Sequence, residues 1–262
     1  MIEKVFSKIM NSLGPYETKP HLAVAVSGGS DSLCLAILTQ EWVKKRGGKV
    51  TALIVDHDLR KNSEKESKET QNILKKSKIS SHCFKWKLSK KTKKGIQERA
   101  REFRYNVFEE WCFKKKIVHL LVAHHFEDQK ETFFMRLNDN SNIYGLACMP
   151  KILHKKKIRI LRPLLDIKKK EIIKFLKERN INWIEDSTNV SLKYSRNRLR
   201  KILPKLEKKG LTDNKLKRIL KRAQIERKKL ENKFNFWLSR NVEIHTLGYA
   251  SINFENLKLL NI

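Results

Sequence analysis

Leu22-Ala-Val-Ala-Val26 runs directly into Ser27-Gly28-Gly29-Ser30-Asp31-Ser32 and on into Leu33-Cys34-Leu35-Ala36. The order is an apolar strand, a glycine-bearing loop and a helix start. Two glycines let the backbone turn tightly and bring its N–H groups against an anion. The loop ends where a helix begins, and there unpaired N–H groups and the helix dipole favour phosphate. Ser27, Ser30 and Ser32 add hydroxyl donors, and Asp31 is placed to hold magnesium against phosphate oxygens. A Ser-rich turn with an Asp or Ser helix cap accounts for the serines and the aspartate. It does not account for two glycines directly after an apolar strand. Neither Gly-x-x-x-x-Gly-Lys-Ser/Thr nor Gly-x-Gly-x-x-Gly occurs in the chain, so the loop is not of the Walker or dinucleotide type.

Outward from this loop, short apolar runs alternate with amphipathic stretches, the pattern of βα units on a parallel sheet. The expected strands are Leu22–Val26, Val50–Val55, His82–Trp86 and Val118–Ala123. The helices between and after them are Ser32–Lys45, Glu64–Lys76, Ile96–Lys115 and Phe126–Leu137. A run such as Ala52-Leu53-Ile54-Val55 suits a strand buried on both faces. After Pro150 a fifth strand is expected at Ile158–Leu161 and helices at Lys168–Arg179 and Ser195–Leu203, the latter limited by Pro204. Thr212–Trp237 reads as a long basic helix with Leu216, Leu220, Ala223 and Leu230 as its apolar stripe. Val242–Ile262 is too short to classify. The fold class is therefore α/β, a Rossmann-like doubly wound parallel sheet with a small helical C-terminal extension. Residues 1–205 are expected to form the domain that carries the phosphate loop and 206–262 a basic, mainly helical extension.

The chain has 262 residues, with 59 Lys+Arg against 28 Asp+Glu and a formal net charge of +31. That surplus points to a polyanionic partner, either nucleic acid or an anionic membrane face. It is mostly Lys in a chain also rich in Ile and Asn, so AT-biased codons explain part of it without any selection for binding. From Lys193 to Lys209 there are eight basic residues against one acidic. Arg196, Arg198 and Arg200 there are better probes of function than the lysines, because Arg forks match phosphate geometry; a solvated cationic helix is the plainer reading. No apolar run approaches the roughly 20 residues of a membrane span. Cys34, Cys83, Cys112 and Cys148 lie far apart, which fits free thiols in a reducing compartment rather than a zinc ribbon or redox dithiol. The start, Met1 to Lys19, has no signal-peptide core and is not Arg/Ser-rich. The expected setting is a bacterial cytosol or a plastid stroma, neither secreted nor membrane-bound.

The Ser-Gly-Gly-x-Asp-Ser loop strongly resembles that of the PP-loop ATP pyrophosphatases, which implies cleavage of ATP to AMP and pyrophosphate. Further segments narrow the resemblance: Val55-Asp56-His57-Asp58-Leu59-Arg60, Ala100-Arg101-Glu102-Phe103-Arg104-Tyr105, and Ala123-His124-His125-Phe126-Glu127-Asp128-Gln129-Lys130-Glu131-Thr132 with Arg136 a turn later. Gly145-Leu146-Ala147-Cys148-Met149-Pro150, Arg162-Pro163-Leu164-Leu165 and Arg196-Asn197-Arg198-Leu199-Arg200 complete the set. In this order they look like the tRNA(Ile)-lysidine synthase family over about residues 20 to 205.

That resemblance implies ATP and magnesium as cofactors, and free L-lysine and a CAU-anticodon tRNA(Ile) as partners. It places Ser27, Gly28, Gly29, Ser30, Asp31, Ser32, Asp56 and Arg104 with ATP, and His124, Asp128 and Glu131 as the reactive group with Asp31. The same resemblance, together with the Arg cluster, assigns Arg196, Arg198 and Arg200 to tRNA. On a helix starting near Phe126, Asp128, Glu131 and Thr132 share a face by i, i+3, i+4 spacing. His125 has the plainer reading of capping a strand end, and a zinc site from the two adjacent histidines is disfavoured because their side chains diverge. Two departures from the family pattern stand out: Asp58 where Gly is preferred, and Leu137-Asn138-Asp139-Asn140 where relatives usually carry Arg and Gly. Trp237, Phe234 and Phe236 are read as core of the tail, with base stacking the alternative. The rival readings are a 2-thiolating tRNA enzyme, a small-molecule adenylating synthetase, and a non-catalytic basic RNA-binding protein.

Overall fold

The computed structural model describes residues 2–56, 63–86, 96–185 and 210–252. The expected helix Ser195–Leu203 and the Arg196, Arg198 and Arg200 cluster lie outside the described residues, as do His57 and Asp58. Two compact units are present. One comprises Met1–Glu131 with Met149–Arg198, and the other Thr132–Cys148 with Leu199–Ile262.

The first unit is built on a six-stranded sheet. In chain order its strands are β1 (His21–Val26), β2 (Lys49–Asp56), β3 (Ser80–Lys85), β4 (His119–Leu121), β5 (Ile152–His154) and β6 (Arg159–Leu161). They are arranged β3-β2-β1-β4-β6-β5, all parallel except the β5–β6 edge pair. The helices are α1 (Ile2–Ser12), α2 (Ser30–Lys44), α3 (Ser63–Lys76), α4 (Ile96–Lys114), the start of α5 (Phe126–Asn138), and, after a short α6 in the other unit, α7 (Lys169–Glu178).

Alternation along β1 decides how the layers form. Leu22, Val24 and Val26 point to one face, where they meet Phe6 and Met10 of α1, Leu35 and Leu38 of α2, Leu74 of α3, and Ile172 and Phe175 of α7. Ala23 points to the other, with Leu53, Leu120 and Ile160, against Phe108 and Cys112 of α4. A sheet covered on both faces is the doubly wound α/β arrangement expected from the alternating pattern. The N-terminal helix is an addition to the elements expected from sequence: α1 buries Ile2, Phe6 and Met10 at i, i+4, i+8 spacing. Its exit is held by Arg159 of β6, whose guanidinium donates to the carbonyls of Leu13, Gly14 and Pro15 at 3.0 to 3.3 Å.

The second unit holds the end of α5, the short α6 (Ile143–Leu146), the long α8 (Asp213–Asn241), and a hairpin of β7 (Val242–Ile244) with β8 (Ala250–Ile252). The hairpin gives structure to a stretch too short to classify from sequence. Helix α5 ends in a Schellman motif: Ser141 N–H donates to Arg136 O at 2.9 Å and Asn140 N–H to Leu137 O at 3.2 Å, with Asn140 at φ +50°. Asn tolerates this left-handed position better than most residues, so the turn forms without a glycine. Helix α8 starts on Thr212, whose hydroxyl accepts from Lys215 N–H.

Leu216, Leu220 and Ala223 of α8 are buried as their spacing predicts. The stripe does not continue as expected. Leu230 is exposed, and Phe234 and Phe236 stand 45% and 60% exposed, which corrects their reading as core of the tail. The helix carries its apolar residues around more than one face past residue 224, so no single packing surface takes them all. Among the described residues, no helix is long and apolar enough to cross a membrane.

Candidate active site

The parallel strands end together, and the crevice outside their carboxyl ends is where open α/β sheets bind ligands. A cavity of about 390 Å³ opens there, within the range of small-molecule sites. Ser27, Gly29 and Ser32 line it from the first βα junction, Asp56 from the end of β2, Thr70 from α3, Arg101 and Arg104 from α4, and His124 from the segment after β4.

The loop is shaped by its own bonds. Ser27 N–H donates to Ser32 Oγ at 3.1 Å, and the Ser32 hydroxyl donates to Gly29 O at 2.9 Å. Gly28 sits at φ +86°, and a Cβ there would stand 2.4 Å from Thr70 Oγ1, so only glycine fits. Gly29 precedes α2 without any side-chain cap bond. Helix α2 begins at Ser30, two residues before the expected Ser32, which puts Ser30, Asp31 and Ser32 in its first turn. An uncapped helix start facing a crevice is suited to an anion.

Asp31 and Ser30 face a second group of side chains. Lys169, the first residue of α7, places Nζ 2.6 Å from Asp31 Oδ1 and 2.8 Å from Ser30 Oγ. Its backbone N–H donates to Glu127 Oε2 at 2.9 Å. His125 lies between three carboxylates: Nδ1 is 3.0 Å from Glu127 Oε2, and Nε2 is 3.6 Å from Asp31 Oδ2 and 3.7 Å from Asp128 Oδ2. Burial opposes charge on the ring, but the carboxylates of Asp31, hydrogen-bonded Glu127 and Asp128 outweigh it, raising the imidazole to about 10. Burial likewise works against ionised Asp31 and Glu127. The charged ring of His125, with Lys169 beside each, holds both carboxyls below their ordinary values.

Of the residues singled out from sequence, Ser27, Gly29, Ser32, Asp56, Arg104 and His124 line one cavity, with Gly28 at its wall. Ser30 and Asp31 meet Lys169, and Asp31 also meets His125. Asp128 accepts the His125 backbone N–H at 2.9 Å, closing the first turn of α5. Glu131 follows one turn later and is buried. Burial lowers the Arg104 guanidinium, with the charge of Arg101 adding to the effect. Sequence reasoning gives no role to Glu127 or Lys169 and leaves His125 as a strand-end cap. The Lys169–Asp31 contact joins residues 138 apart, and only the fold brings them together. Among the described residues no group of three or more His, Cys, Asp or Glu side chains is arranged to hold a metal ion by itself. Asp31 with Ser30 offers one carboxylate and a hydroxyl, a donor set that fits magnesium carried in on phosphate oxygens.

Residues 1–206 match the model of the PP-loop domain family. The chain is 33% identical over 259 residues to a tRNA(Ile)-lysidine synthase of Orientia tsutsugamushi, covering 96% of this chain and 58% of that protein. It is 34% identical over 253 residues to the protein of the same name from Wolbachia pipientis, with the same coverages. The chain thus spans a little over half the length of these curated relatives. Among solved structures it resembles the U34-tRNA thiolase NcsA from Methanococcus maripaludis, with a TM-score of 0.72 at 17% identity, over 87% of this chain and 78% of that one. That likeness is one of fold.

Proposed function

The chain belongs to the PP-loop domain family, and from that premise we propose that it ligates free L-lysine to the wobble cytidine of a CAU-anticodon tRNA(Ile), consuming ATP. The observation that carries this reading is the similarity to tRNA(Ile)-lysidine synthases across 96% of the chain. The site's chemistry supports it.

In this reading the Ser27–Ser32 loop and the start of α2 bind the phosphates of ATP, and Asp56 and Arg104 border the rest of the nucleotide. Magnesium held by Asp31 would neutralise phosphate charge. The cytosine 2-carbonyl oxygen attacks the α-phosphorus and pyrophosphate leaves. The neutral lysine ε-amine then adds at ring C2, and AMP departs with the oxygen. His124, Asp128 and Glu131 are the groups proposed to bind the lysine and take the amine proton. Arg196, Arg198 and Arg200 are assigned to tRNA phosphates. Residues 1–205 form the catalytic part and 206–262 the basic extension. The similar bacterial proteins favour a bacterial cytosol as the setting. A 2-thiolation reading is not favoured: Cys34, Cys83 and Cys112 stand on separate elements, Cys148 follows α6, and Cys34 and Cys112 are fully buried.

The test is incubation with labelled lysine, ATP, magnesium and a CAU-anticodon tRNA(Ile) transcript. Label should enter the tRNA, and Asp31→Ala should abolish incorporation while leaving tRNA binding largely intact. No incorporation by the unmodified chain across a range of salt would overturn the assignment.

A further inference from the structure

We propose that Lys169 is an exchangeable counter-ion of the phosphate loop. Its ammonium pairs with Asp31, and when magnesium-bound ATP enters it turns to the β- and γ-phosphates and yields Asp31 to the metal. This rests on the reading that the loop takes magnesium-bound ATP.

Two cations face Asp31, and they differ in freedom. His125 approaches Oδ2 at 3.6 Å, is buried, and is pinned through Nδ1 by Glu127 at 3.0 Å. Lys169 takes Oδ1 at 2.6 Å, with its side chain 37% exposed. The base of that side chain is fixed. Lys169 N–H is bound by Glu127, and α7 is anchored by buried Ile172, Phe175 and Leu176. Beyond Cα, four methylenes carry a compact ammonium that can swing among oxygen acceptors. Magnesium binds through one or two carboxylates plus phosphate oxygens, and with Oδ2 facing the buried His125 at 3.6 Å the oxygen left to it is Oδ1, which Lys169 holds. Nζ also donates to Ser30 Oγ, in the first turn where an anion would dock. A short swing therefore carries the ammonium from a carboxylate oxygen to a phosphate oxygen without moving the backbone.

The experiment measures nucleotide binding alone, by calorimetry on the full chain without tRNA or lysine. ATP, pyrophosphate and AMP are each titrated in EDTA, and ATP is titrated again across a magnesium series. Lys169→Met keeps the stem and removes the charge, Lys169→Arg keeps a charge, and exposed Lys170→Met is the control. Lys169→Met should weaken ATP and pyrophosphate in EDTA by about tenfold, as expected for loss of one charge-assisted contact. AMP should be little affected. The magnesium concentration for half-maximal ATP binding should fall, because no ammonium competes for Asp31. Lys169→Arg should retain most of the ATP affinity, and Lys170→Met should match the parent. Equal losses for ATP and AMP, unchanged ATP affinity in EDTA, or a higher magnesium requirement would each overturn the exchange. Failure of the parent chain to bind ATP would overturn both this inference and the nucleotide reading. ATP binding without lysine incorporation would overturn only the ligase reading.

Discussion

His125 is a buried histidine whose surroundings keep it charged, because Asp31, Glu127 and Asp128 all lie within 3.7 Å of its ring nitrogens. Its folded value of about 10 lies above the ordinary 6.5. The stability it contributes is therefore complete below pH 6.5 and disappears as pH rises through about 10. Asp31 and Glu127 shift the other way, from ordinary values of 3.8 and 4.5. Their share is present above those values and lost as pH falls through the lowered folded ones. The network is at full strength between about pH 4.5 and 6.5. Replacing His125 by Gln leaves three carboxylates without their buried cation, a loss of about 3 kcal/mol. Urea unfolding of parent and variant should show the largest gap near about pH 6 and a much smaller one at about pH 10. A gap independent of pH would mean that the ring acts by packing rather than by charge. None of this is legible in the His-His pair itself. Adjacent residues in a strand-to-helix junction look alike in sequence, yet His124 lines the cavity while His125 turns into the carboxylates.

At the scale of elements, α1 closes one face of the sheet with Phe6 and Met10, both almost fully buried. Phe6→Ala should cost about 3–5 kcal/mol through lost transfer energy and the void left behind, and calorimetric unfolding measures it. A cost below about 1 kcal/mol would show that α1 is not part of the cooperative core. The i, i+4, i+8 stripe of α1 is present in the sequence but short, and an 11-residue segment ahead of the first strand gives periodicity little length in which to stand out. The parallel strands are readable because both faces are covered and their apolar runs are continuous. Strand β5 is not, since three residues on an antiparallel edge carry no alternation to detect. The Ser27–Ser32 loop is readable because Gly28 has a local cause, a backbone turned to φ +86°, even though Thr70, which also excludes a side chain there, comes from a distant helix. Lys169 is not, because its partner is set by the packing of α7 and by nothing in its neighbours along the chain.

At the scale of the whole molecule, the proposed tRNA partner would divide a formal charge of +31 into charge that contacts RNA and charge that only surrounds it. Salt dependence separates the two. Each phosphate contact releases counterions and adds roughly 0.7–0.9 to the slope of log affinity against log salt, whereas a distant charge on a solvated helix adds little. On α3, Lys68 is paired with Glu64 at 3.0 Å, and Lys75 and Lys76 lie in the last turn, where cations favour the helix dipole. Exchanging Lys68, Lys75 and Lys76 for Gln removes three charges, as does exchanging Arg196, Arg198 and Arg200. If the arginines hold tRNA phosphates, their triple variant should lower the slope by about 2–3, measured by filter binding of the tRNA transcript from low to moderate salt. The lysine variant should leave the slope nearly unchanged. Equal reductions would mean that the surplus acts as a diffuse field and that the arginines have no particular claim on the RNA. The comparison holds total charge constant, so only the position of the lost charges can distinguish the two variants.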